Sequence, residues 1–185
     1  MKNYLVAIWL GLSGTAALAA DMGISPQDVY QRIQAGEPNV LFVDVRDPVE
    51  IMFVGFTDAV HANVPYLLVD RRQWDKTKGV YRVSQNPAFL AGIQKALKQR
   101  GLGVDAEIIT LCRSGSERGK PSADYLRANG FANARYVIDG FQGPVIKEGE
   151  HAGFRLKGGW QNSGLPWGYK LDPEKMYLPD AGLAY

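Results

Sequence analysis

The chain carries one cysteine and two histidines in 185 residues. A single thiol excludes an intramolecular disulfide and any zinc site built from several cysteines, and His61 and His151 cannot assemble a histidine-rich metal centre. No basic block stands out from 21 Lys and Arg against 19 Asp and Glu, so nucleic acid is not expected as a partner. No internal repeat is visible. The composition, 46% hydrophobic and 22% charged, is that of a globular domain, and it excludes disordered, collagen-like and multi-span membrane classes.

Lys2 precedes an apolar run, Tyr4 to Leu12, followed by small residues and Ala17-Leu18-Ala19. That order predicts a secretory signal peptide over residues 1–19, a mature start at Ala20 and a periplasmic or otherwise exported protein. Gly11, Ser13, Gly14 and Thr15 interrupt the run, which falls short of the roughly 20 residues a spanning helix needs, so no stable membrane insertion is expected after the signal is removed. Oxidising compartments usually pair cysteines or omit them. A lone exported thiol is therefore either buried and inert or reactive.

Ser25-Pro26-Gln27-Asp28 has the cap, proline and first-turn acid of a helix start, and a short helix to about Ala35 follows. Asn39 to Val45 and Glu107 to Leu111 are continuous apolar runs, the pattern of strands buried on both faces. A helical turn around Val49 to Phe53, a short strand near Ala59 to Ala62, a helix opened by Asn86-Pro87, a helix from the end of the 113–119 loop to about Asn129, and a strand at Arg135 to Ile138 complete the pattern. The alternation predicts an α/β domain with a central, mostly parallel sheet and helices on both faces. Tyr66 to Ser84 reads as an irregular surface excursion of mixed basic and aromatic residues, and the Gly-rich, charged stretch after Pro144 as a turn or hairpin. Trp160, Trp167, Tyr169, Tyr177 and Tyr185 punctuate the tail, most of them expected to pack on the core.

Cys112 lies at the carboxyl end of a strand, where open α/β sheets bind their ligands. The loop that follows, Arg113-Ser114-Gly115-Ser116-Glu117-Arg118-Gly119, is small and polar enough to aim its backbone N–H groups at one point ahead of a helix N-terminus. Cys112 at the rim of such an anion cradle, with Arg113 and Arg118 nearby, would hold a stabilised thiolate, the nucleophilic form of sulfur. The inert alternative is a cysteine packed as a small hydrophobe. Asp44 reads as the partner of an arginine behind the loop, with Arg46 in the same supporting role, and together they would keep the cradle in shape. A Ser114-His61-Asp44 triad can be written down, but no nucleophile-elbow motif supports it. No motif calls for a cofactor or a metal.

Residues 25–141, with a further piece at Trp160 to Pro166, resemble the rhodanese (thiosulfate sulfurtransferase) family. The resemblance is carried by Leu41 to Glu50 (LFVDVRDPVE), by Cys112-Arg113-Ser114-Gly115, and by Tyr136 to Phe141 (YVIDGF) followed by Trp160 and Gly164-Leu165-Pro166. It implies a single rhodanese-like domain over 20–185, with inserts near 66–84 and 142–159 and an aromatic tail. It further implies that Cys112 takes sulfane sulfur from a small anionic donor such as thiosulfate and passes it, as a persulfide, to a thiol or cyanide-like acceptor. The loop amides and Arg113 and Arg118 would hold the anion.

Arg118 follows Cys112 by six positions where the sulfurtransferases usually have five, and Phe56 replaces a usual histidine. The longer loop is more similar to that of Cdc25 phosphatases and related arsenate reductases, in which Arg118 would grip two oxygens of a tetrahedral anion. Phosphatase or arsenate reductase chemistry is the alternative reading, with only Glu117 placed as a general acid. A third is a non-catalytic module that holds an exported protein partner through its tail and inserts.

Overall fold

The structure, a computed structural model, describes residues 22–178; the proposed signal peptide and Tyr185 lie outside the described residues. In chain order the strands are β1 (Gly23–Ile24), β2 (Val40–Asp44), β3 (Ala62–Asn63), β4 (Leu67–Asp75), β5 (Val80–Gln85), β6 (Glu107–Leu111) and β7 (Arg135–Val137). Five of them form one parallel sheet in the order β1-β7-β6-β2-β3, while β4 and β5 make a separate antiparallel ribbon.

β2 and β6 sit centrally and pair in register from Val40↔Glu107 to Asp44↔Leu111. Strand alternation sends Leu41, Val43 and Ile108 to one face and Phe42, Ile109 and Leu111 to the other. The first face is covered by α3 (Phe89–Gln99) and α4 (Gly119–Ala128), which contribute Phe89, Ile93, Leu97, Ala123 and Leu126. The second is covered by α1 (Pro26–Gln34), α2 (Pro48–Val54) and α5 (Gly159–Asn162), through Val29, Ile51 and Trp160. With both faces buried, neither central strand has room for a solvent-facing side, which is why both are mainly apolar and why the polar Asp44 and Thr110 within them are hydrogen-bonded.

The helix starts follow local chemistry. Ser25 accepts the amide of Asp28 at 3.1 Å and Pro26 occupies the first turn of α1. Asp47 accepts the amide of Val49 at 2.9 Å and Pro48 opens α2. Each cap satisfies one of the orphan amides of a helix N-terminus, a contribution of about 1 kcal/mol.

Trp160 is fully buried, stacked at 5.5 Å on Phe42 and edge-on at 5.8 Å to Tyr30, and its indole N–H donates to the Pro166 carbonyl at 2.9 Å. It ties the tail to the sheet. Phe56 and Gly168 exchange two backbone bonds at 2.7 and 2.8 Å and continue that attachment. Trp167 meets the buried Phe141 edge-on at 6.2 Å while its outer side stays exposed, and Tyr169 departs from the expected packing, meeting Trp167 edge-on at 5.5 Å and remaining exposed.

Two further expectations need correction. Tyr66 to Ser84, read as irregular, falls almost wholly in the regular β4–β5 ribbon, because Asp75 accepts the amides of Thr77 and Lys78 and Gly79 takes φ +67° to close a hairpin turn. The strand expected near Ala59 starts at Ala62, since a turn from Thr57 to Val60 precedes it. The stretch after Pro144 closes a loop between Ile146 and Phe154 without forming strands.

Candidate active site

Cys112 directly follows β6, and the backbone around it is tied on both sides. Leu111 O accepts from Val45 N at 2.8 Å, and Cys112 O accepts from Phe141 N at 2.7 Å. The far end of the loop is held by Thr110, whose hydroxyl donates to the Gly119 carbonyl at 2.9 Å. Gly115 O accepts from Lys120 N at 2.9 Å, so the loop folds back on the first turn of α4.

Two glycines make this closure sterically feasible. Gly115 has φ +79° and Gly140 φ +58°. A Cβ on Gly140 would strike the Cys112 carbonyl and lie 2.7 Å from the amides of Ser114 and Gly115, so the 139–141 turn supports the loop from behind only as glycine. A Cβ on Gly119 would sit 3.4 Å from Cys112 Sγ, which puts the first residue of α4 against the sulfur. Positive charge at that helix end favours an anion there.

None of the amides of residues 113–118 donates to a carbonyl or side chain among the described residues. Donors of this kind are what an anion cradle requires. Cys112 itself is buried and packs with Val45, Ala123 and Tyr136, so it forms the floor of the loop and not its rim.

The arginines differ from expectation. Arg118 donates through both terminal nitrogens to the Glu50 carboxylate of α2, one of these bonds being 3.0 Å, while its Nε is buried with no partner among the described residues. Burial works against the Arg118 charge, but the Glu50 bonds outweigh it and hold the guanidinium more firmly protonated. Its fork is thus already occupied by a carboxylate. Arg113 turns away to donate from Nε to Gln142 Oε1 at 2.7 Å, and burial, reinforced by Arg155, lowers its pKa. Ser114 and Ser116 bring their hydroxyls within 3.1 Å of each other, and Glu117 is exposed.

Asp44 and Arg46 form a fully buried pair, Nε at 2.9 Å from Oδ1 and Nη2 at 2.5 Å from Oδ2. Arg46 also donates to the Gly55 carbonyl at 3.0 Å and lies 4.2 Å above the Phe141 ring. Phe141 in turn donates to Cys112 O, so the buried pair reaches the cysteine through one aromatic ring. The Ser114-His61-Asp44 triad does not form. His61 Nδ1 accepts from the Phe42 amide at 3.1 Å on the β3 side, and Asp44 is committed to Arg46.

Glu50, Gln142 and Thr110 complete the site without having been singled out by the motifs. Only Glu50 left a readable signal, as the acid in the first turn of a helix that starts at the ligand-binding edge of the sheet.

A profile of the rhodanese-like domain family matches residues 25–145. The crystal structure of Rv0390 from M. tuberculosis is 30% identical, covering 80% of this chain and 97% of that one, with a TM-score of 0.54. A rhodanese-related protein from Thermoplasma volcanium is 20% identical over 80% of this chain and 98% of its own, with a TM-score of 0.44. An uncharacterized Saccharomyces cerevisiae protein is 25% identical over 66% of this chain and 88% of its own, with a TM-score of 0.42. No curated protein matches the sequence.

Proposed function

The chain belongs to the rhodanese-like domain family, and from that premise we propose that it is an exported sulfurtransferase that carries sulfane sulfur as a Cys112 persulfide. The carrying observation is Cys112 Sγ set against the first residue of α4, beneath a loop whose amides have no protein acceptor among the described residues.

The Cys112 thiolate attacks the outer sulfur of thiosulfate. The bond between the two donor sulfurs breaks, and sulfite departs with its electron pair. The loop amides and the α4 N-terminus stabilise the terminal persulfide charge. A thiophilic acceptor, cyanide or a thiolate, then attacks the terminal sulfur and returns Cys112 as thiolate. With no second cysteine in the chain, discharge has to come from outside. Glu50 holds Arg118 at the loop end, and the Asp44–Arg46 pair holds Phe141 and through it the Cys112 carbonyl.

Incubation with thiosulfate followed by intact mass measurement should add one sulfur, and Cys112→Ser should abolish the gain. No gain with thiosulfate, polysulfide or a small persulfide would overturn the reading. N-terminal sequencing of protein recovered from the periplasm tests export, with Ala20 as the expected first residue.

The six-position spacing from Cys112 to Arg118 favours phosphatase or arsenate reductase chemistry as a second reading. It requires Arg118 to release Glu50, and the Glu50 carboxylate would repel an incoming oxyanion. Turnover of an aryl phosphate, or of arsenate with an external thiol as reductant, that depends on both Cys112 and Arg118 and occurs without sulfur uptake would replace the sulfur-transfer reading.

A further inference from the structure

The β4–β5 ribbon contributes almost nothing to the core, yet it leaves the sheet beside the cysteine. Val45 N donates to Leu111 O, and Val45 O accepts from Tyr66 N at 3.1 Å, so the base of the arm lies two hydrogen bonds from the residue before Cys112. Directly opposed residues of an antiparallel pair share a face, and the register pairs Val69 with Val83 and Trp74 with Tyr81. Tyr81 and Val83 are two apart, so all four side chains lie along one side of the arm.

This stripe continues onto α2. Asp47 accepts the Val49 amide with one carboxylate oxygen and the Val69 amide, at 3.4 Å, with the other. Val49, Met52 and Phe53 are at helical spacing and face outward, and these three and the four arm residues are 37% to 74% exposed. Exposed apolar side chains gathered on two elements that Asp47 ties together mark an interaction site. Glu50 of the same helix grips Arg118, so the surface borders the cysteine loop directly.

Charge identifies the occupant. Residues 66–85 hold five basic side chains, Arg71, Arg72, Lys76, Lys78 and Arg82, against two acids, an excess greater than the formal +2 of the whole chain. Like charge disfavours a second copy of this arm. The tip, Asp75 to Gly79, is polar, which disfavours insertion into a bilayer by the hairpin end.

We propose that the β4–β5 arm and the outer face of α2 dock a protein that presents an acidic, partly apolar segment, and that this protein supplies the thiol that discharges Cys112. The second clause rests on the sulfur-transfer reading. In that step the partner's thiolate attacks the terminal sulfur of the Cys112 persulfide; the bond to Cys112 breaks, a partner persulfide forms, and Cys112 leaves as thiolate with no net oxidation.

The probe is a synthetic peptide alternating Glu and Leu with one Cys, compared with its Lys-for-Glu counterpart and with cyanide. The acidic peptide should accept sulfur with a kcat/KM at least tenfold above the basic one at low salt. Lys76→Glu/Lys78→Glu and, separately, Trp74→Ser/Tyr81→Ser should erase that preference while cyanide is used within twofold of the parent. Fluorescence anisotropy of a labelled acidic peptide carrying Ser for Cys, measured on Cys112→Ser protein, reads docking without chemistry. It should weaken with salt and with both arm variants. A protein that never loads sulfur but still shows this binding loses the sulfur-transfer reading alone. Equal binding of acidic and basic peptides overturns the docking surface. So do arm-dependent sedimentation with phosphatidylglycerol vesicles without peptide preference, and an arm-dependent dimer in analytical ultracentrifugation.

Discussion

The cysteine loop and the β4–β5 arm leave the same edge of the sheet, yet they are built by opposite means. In the loop, each end is bonded into neighbouring backbone, a buried ion pair props the turn behind it, and Cys112 is out of solvent. In the arm, the strands pair with each other and nearly every side chain faces water. The difference teaches where rigidity is required. A nucleophile has to be held against fixed donors, whereas a recognition surface has to be reachable.

The largest contrast should appear in chemistry. Cys112→Ser should eliminate sulfur loading, whereas replacing residues 68–84 by a short Gly-Ser turn should leave loading from thiosulfate intact by mass measurement. The replacement can close because Asn86 N already bonds Tyr66 O at 2.9 Å across the base. An arm deletion that fails to load would show that the arm belongs to the catalytic site.

Next in size is the contrast between a tryptophan on the sheet and one on the arm. Trp160→Ala should lower stability by about 3–5 kcal/mol in urea unfolding, because a fully buried indole and its bond to Pro166 are lost. Trp74→Ala, with only an edge contact to Tyr81 at 5.2 Å, should cost under about 1 kcal/mol.

A pair of glycines sharpens the comparison further. Gly79 in the arm turn (φ +67°) faces open space, so Gly79→Ala should cost only the left-handed backbone strain, about 1 kcal/mol. Gly140→Ala adds a collision with the loop amides, so it should cost more and also slow sulfur loading. Equal effects at the two positions would mean that the loop can give way.

The smallest effect is on pH. Burial, with the charges of Arg100 and Lys175, pushes the His61 pKa from 6.5 down to about 4. The fold thus favours the neutral ring, which accepts the Phe42 amide. Its contribution is complete above pH 6.5 and is lost as pH falls through 4. Thermal unfolding from pH 7 to 4 should therefore fall more steeply for the parent than for His61→Gln. Asp70 on the arm has its pKa lowered to about 2 by Arg72, outside that pH range, and Asp70→Asn should leave the slope unchanged.

How far the sequence could be read followed from burial. β2 and β6 were legible because strands covered on both faces are mainly apolar along their whole length, and α1 because Ser25 and Pro26 write its start in local chemistry. β1, only two residues long, was invisible, since its pairing with β7 is made more than a hundred positions away. The arm was mistaken for an irregular loop because neither of its faces is buried, so no alternation marks it as strands. At the site, position 112 was legible from the strand end and the polar loop. The bonding of Arg118 to Glu50 and of Arg113 to Gln142 was not, because those partners are 68 and 29 residues away.

By itself, the sequence determined that one sulfur had to do whatever cysteine chemistry the protein performs, and that it sits after a buried strand and before a helix. Local patterning and composition carry that much. Only the tertiary structure decided that the sulfur lies on the floor of the loop and that Arg118 is already held by a carboxylate. It alone showed that the basic, aromatic segment after Tyr66 is a strand pair rising beside the same loop. Each of these depends on distant segments meeting at one edge of a parallel sheet, and no window of neighbouring residues encodes that meeting.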